Sequence, residues 1–212
     1  MRTHVTDQRA TARTDGPAPA LDRGPSRAAI RRAGLGLTAG SLTWAVAICA
    51  LGSDGEGVAG RIIDLTGLAF QLGVFCLLWV QMRTMAIGTS KAARFALRAE
   101  AVVLGLASVW SLLHGVLPAS QADAPWLAVL DMAWPLSMLG MAVIAVKLAF
   151  AGRWRGVLRG WPLVAESWAL VSVPAYGMFG PAIAGWVGGV HLVVGYATLG
   201  VLMALRPEQT AR

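Results

Sequence analysis

Apolar positions in this chain come in long runs, and most polar ones fall in the gaps between them. Six runs stand out, over 33–51, 62–82, 95–117, 126–150, 161–179 and 182–205. Each is close to or above the roughly 20 residues that a helix rising about 1.5 Å per residue needs to cross a bilayer. None shows the alternation of a membrane β-barrel strand. The pattern predicts an all-α integral membrane protein with six transmembrane helices over 33–205. The gaps are short, the last being little more than Gly180-Pro181. Successive helices are therefore expected as antiparallel neighbours.

The flanks read differently. Residues 1–32 are rich in Arg, Thr, Pro and Asp and lack apolar periodicity, so a disordered tail is expected there. The run that follows is longer than the apolar core of a usual signal peptide, which makes it an anchor, although "ICALGSDG" leaves cleavage after Gly52 open. Residues 206–212 form a second short tail.

Charge sharpens the topology. Only 14% of the chain is charged, against about 25% in a soluble domain. The net charge of +7 would suit nucleic acid, but its distribution follows the gaps instead. The N-terminal tail holds seven Arg. Arg83, Lys91, Arg94 and Arg98 surround the second gap, Arg153, Arg155 and Arg159 the fourth, and Arg206 and Arg212 the C-terminus. The other side offers Arg61 beside Asp54, Glu56 and Asp123. Basic loops face the cytoplasm, so both termini are expected there, with no nucleic-acid partner. The Arg-rich tail is expected to meet anionic lipid headgroups. Basic residues are nearly all Arg, with abundant Ala and Gly, which points to a bacterial inner membrane. Cys49 and Cys76 lack metal-binding spacing and read as packing residues.

Ionisable residues inside the apolar runs are the candidate chemistry, because each costs about 2.5–3.5 kcal/mol to place in a membrane on insertion scales. Asp64, His114 and Asp131 lie near the outer ends of their runs, with His191 somewhat deeper; Glu100 and Glu166 lie near the inner ends. Glu100, Ala107, Ser111 and His114 share one helical face, as do Asp64 and Gln71. Gly188, His191, Gly195 and Thr198 share another. Pro135 removes the amide that would bond the Asp131 carbonyl, and Pro174 does the same for Leu170, so kinks are expected in helices four and five. A carboxylate and an unpaired carbonyl then coincide at Asp131. The spacing also repeats loosely, as Asp64…Gly73, Asp131…Gly140 and His191…Gly200.

These residues support several readings. The leading one is a small transporter or ion- or proton-conducting protein, with Asp64, His114, Asp131 and His191 as an outer site and Glu100 and Glu166 as inner relay carboxylates. A second is a b-type haem protein ligated by His114 and His191. A third is a membrane-embedded metal hydrolase with zinc on Asp64, His114, Asp131 and His191; no His-Glu-x-x-His pair supports it. A fourth is a non-catalytic scaffold for a partner. A purely structural role competes with all of them. On that view Glu100 and Glu166 form salt bridges with Lys147, Arg98 or Arg83, the outer groups form a hydrogen-bond network, and Gly185 and Gly189 pack helices.

Overall fold

The computed structural model describes residues 24–52, 55–122 and 124–210. The tail over 1–23, Asp54, Asp123 and Arg212 lie outside these residues. Every regular element among the described residues is helical: α1 Arg27–Leu51, α2 Gly57–Arg83, α3 Lys91–Val116, the short α4 Ala119–Ala122, α5 Pro125–Asp131, α6 Ala133–Ala151, α7 Trp161–Glu166, α8 Trp168–Leu192 and α9 Thr198–Leu205. A π-helical turn, Val193–Ala197, joins α8 to α9.

Local signals set the starts. Ser26 caps α1 by accepting from the Ala29 amide at 3.2 Å, so the helix begins ahead of the residue 33 boundary that hydropathy suggests. Ser90 does the same for α3 through the Ala93 amide at 3.1 Å. Pro125 opens α5, where its missing N–H costs nothing. A hydropathy reading misses these turns because a cap and a polar first turn carry no apolar signal.

Five segments are long and apolar enough to cross a membrane: α1, α2, α3, Pro125–Ala151 and the 45-residue Trp161–Leu205. The outward faces carry large apolar side chains such as Val46, Phe95, Val129, Phe150, Leu170 and Trp186. An apolar surface of that extent is unsuited to water and suited to lipid, and these helices are compatible with a multi-pass membrane protein.

The fifth segment is not one rod. A straight 45-residue helix would run about 68 Å, more than twice the hydrocarbon thickness of about 30 Å. Gly180, at φ 76° and ψ 176°, takes a backbone conformation essentially reserved for glycine. The chain folds back there. Trp168 Nε1 donates to the Gly188 carbonyl at 3.0 Å, and Trp161 Nε1 to the Gly195 carbonyl at 3.1 Å. The two halves thus lie side by side as a hairpin.

The other two interruptions compare differently with the expected kinks, the fourth lying at the expected place and the fifth not. The fourth run breaks at Met132, between Asp131 and Pro135, where Asp131 loses its amide partner. In the fifth run α8 continues through Pro174, and the break falls at Ser167 instead.

The first helix is the hub: α1 packs against α2, α8 and α9. Its inward face alternates small and bulky groups, including Gly34, Leu37, Gly40, Trp44 and Ile48. Gly34 faces Gly200 so closely that a Cβ on either would strike the other's carbonyl oxygen. That contact joins the first turns of α1 to the first turn of α9, and α1 also meets the turn at Pro207–Thr210, which brings both described ends to one end of the bundle. Gly189 presses on Ala45 and Cys49 of α1 in the same way, so Gly189 and Cys49 serve helix packing.

Candidate functional site

The α3 face read from the sequence reaches two different helices. Near its N-terminal half, Glu100 is buried at 5% exposure and accepts from Ser137 Oγ of α6 at 2.6 Å. Further along, Ser111 Oγ accepts from Gln71 Nε2 of α2 at 3.0 Å. At its C-terminal end, His114 Nδ1 pairs with Asp64 Oδ2 of α2 at 2.7 Å. Gly140 makes the first contact feasible: a Cβ there would occupy the space of the Glu100 carboxyl.

The outer candidates gather in part. Trp110, one turn before His114, stacks on its ring at 4.9 Å between centroids and 15° between planes. Asp131 closes α5, exposed, within electrostatic range of both His114 and Asp64. His191 does not join them. Its Nε2 lies 3.0 Å from Ser167 Oγ, at the α7–α8 break, and its Nδ1 is buried without a partner. The hairpin explains this, because folding back at Gly180 sets His191 opposite Ser167, next in chain to Glu166. Chain position alone gave its depth but not its neighbour.

The inner candidates form the more enclosed group. Glu166 ends α7, 9% exposed, and its Oε2 accepts from Tyr196 Oη at 2.6 Å. Tyr196 comes from the π turn, a local irregularity often found at functional sites. Its ring meets Phe70 edge-on at 4.9 Å between centroids. Gln71, Ser137, Glu166 and Tyr196 line a cavity of about 30 Å³. A water needs about 10–15 Å³ on this measure, so one or two fit. Two oxygens of the lining residues, Glu166 Oε1 and Gln71 Oε1, are buried without hydrogen-bond partners.

The expected salt bridges of the inner layer are absent. Among the described residues the ion pair is Asp64–His114, and neither Glu100 nor Glu166 has a basic partner. Arg83, Arg98 and Lys147 are all exposed. Long exposed cations of this kind reach headgroups readily, and the carboxyls' donors among the described residues are the hydroxyls of Ser137 and Tyr196. Tyr196 is the candidate residue that the sequence reading missed. Its signal was available: a tyrosine in the middle of an apolar run carries a hydroxyl that needs a partner.

The haem and zinc readings gain no geometric basis. His114 is held by Asp64 and His191 by Ser167. Among the described residues no group of three or more His, Cys, Asp or Glu is placed to hold a metal ion. Comparison of the chain with protein-family models, curated proteins and solved structures finds no match.

Chemically, the inner cavity is lined by one carboxyl, two hydroxyls and an amide, with the Glu100 carboxyl behind it on the Ser137 hydroxyl. Such a set exchanges protons or holds a small hard cation.

Proposed function

We propose that the chain is a small proton- or cation-conducting transporter of a bacterial inner membrane, crossing it six times with both termini cytoplasmic. One observation carries this reading. Glu100 and Glu166 are buried in an apolar bundle without a basic partner; Glu166, with one oxygen unsatisfied, lines a cavity, and Glu100 is bonded to Ser137 of the same lining. A carboxylate is costly in such a place unless a proton or cation balances its charge, so a site of this kind serves to take up and release one.

The remaining polar contacts supply a route. Asp64, His114 and Asp131 form the outer entrance, and Gln71 with Ser111 lies between them and the cavity. Glu166 and Glu100 then lead toward the inner side. Support for six crossings comes from the hairpin at Gly180, and support for the orientation comes from the basic gaps. The exposed Arg27, Arg31 and Arg32 at the start of α1 suit contact with anionic headgroups.

The test is flux. Purified protein is reconstituted into liposomes carrying a pH-sensitive dye, and a potassium diffusion potential is applied. Wild type moves protons, or sodium or potassium in the parallel assays; Glu166→Gln loses most of that flux while retaining its fold, and Asp131→Asn slows it. A wild-type protein that conducts none of the three ions above protein-free liposomes overturns the reading and leaves the scaffold role.

A further inference from the structure

The donors and acceptors around the inner cavity select one ion over another. Tyr196 Oη donates to Glu166 Oε2 at 2.6 Å, and Ser137 Oγ donates to Glu100 Oε1 at 2.6 Å. A hydroxyl has one hydrogen to give, so both are spent. Gln71 turns its amide nitrogen to Ser111 Oγ at 3.0 Å. Two acceptors are left over, Glu166 Oε1 and Gln71 Oε1, both buried and without a partner. Their residues belong to one lining. Neither oxygen satisfies the other, because a carboxylate and an amide oxygen only accept. Buried acceptors are normally paired, so whatever occupies the cavity brings hydrogens or positive charge.

Charge points the same way. Glu100 lies within electrostatic range of Glu166. Among the described residues neither carboxyl has a basic partner, and His191 turns to Ser167 instead. Two carboxyls that share a site do not both ionise without a large cost. A positive charge therefore belongs with them.

A metal cation suits the space poorly. Hard divalent cations gather about six or more oxygens. A cavity of about 30 Å³ holds one or two bodies the size of water. The two unpartnered oxygens, with the single water that fits beside an ion, leave such a shell half filled, and the hydroxyls are already held by carboxyls. A proton asks for less: one oxygen to carry it and one acceptor to receive its bond. Granted the ion-conducting reading, on which this rests, we propose that the ion is a proton, carried by Glu166 as a neutral acid on Oε1, with one cavity water accepting from it and donating to Gln71 Oε1. The charge is then neutralised, both orphaned oxygens are satisfied, and no further ligand is needed.

The test is infrared spectroscopy on full-length protein in nanodiscs of ether-linked phospholipid, which has no ester carbonyl to obscure the signal. Spectra are taken at neutral pH in sodium-free buffer, in light and in heavy water, because the C=O stretch of a protonated carboxyl moves on deuteration. Wild type shows such a band. Glu166→Gln abolishes it and Glu100→Gln keeps it. Tyr196→Phe and Gln71→Leu each remove one partner and move it to higher frequency, and added sodium leaves it unchanged. Loss of the band on adding sodium overturns the proton assignment while ion conduction stands. Absence of the band in wild type, a band that survives Glu166→Gln but not Glu100→Gln, or one unmoved by Gln71→Leu also overturns the assignment; conduction itself is judged by the flux assay alone. Should Glu166→Gln not fold, the shifts in Tyr196→Phe and Gln71→Leu identify the carboxyl.

Discussion

Replacing Tyr196 by Phe keeps the ring against Phe70 and deletes one hydroxyl. Glu166 then has no donor at either oxygen, since Oε1 is already unpartnered. Orphaning a buried acceptor costs about 1–3 kcal/mol, while hydrogen bonds between membrane helices average only about 0.6 kcal/mol with a maximum near 1.7. The cavity beside Glu166 measures about 30 Å³, so a water can enter and take over part of the bond. The expected loss is therefore about 1–1.5 kcal/mol. It is read from reversible unfolding in mixed micelles titrated with dodecyl sulfate, followed by circular dichroism. A double-mutant cycle assigns the loss to this pair. In a Glu166→Leu background the phenol has no acceptor, and removing it becomes neutral or favourable, giving a coupling of about 1 kcal/mol. A Tyr196→Phe cost below about 0.3 kcal/mol, or an equal cost in both backgrounds, refutes the claim that this bond holds the buried carboxyl.

Other outcomes follow from the same geometry. Gly180 and Gly177 both have open space where a Cβ would sit, but only Gly180 has positive φ. Gly180→Ala should destabilise by about 1–3 kcal/mol through backbone strain, while Gly177→Ala should be neutral or stabilise by up to about 1 kcal/mol; equal effects in the same unfolding assay would contradict the hairpin. Gly140→Ala displaces the Glu100 carboxyl from Ser137, so adding Ser137→Ala to it should cost much less than Ser137→Ala alone in wild type. In a chain with Cys49 and Cys76 replaced by Ala, a membrane-impermeant maleimide applied to intact cells should label Ser120→Cys and spare Ser90→Cys; the reverse pattern inverts the proposed topology.

The helices and their polar faces are legible in the chain because the rules behind them are local. Apolar length sets a crossing, Ser26 and Ser90 set starts, and a fixed angle per residue puts Glu100, Ser111 and His114 on one side of α3. Partnership is not local. Whether Glu100 meets Ser137 or Lys147 depends on how α6 is rotated and on the close approach that Gly140 permits, and long exposed cations reach headgroups readily. His191 parted from the outer group because folding at Gly180 set Ser167 opposite it. Glu166 found Tyr196 because a π turn swung that ring inward. Sequence spacing thus determined which polar groups enter the bundle, and only the packing of one helix on another decided which of them meet.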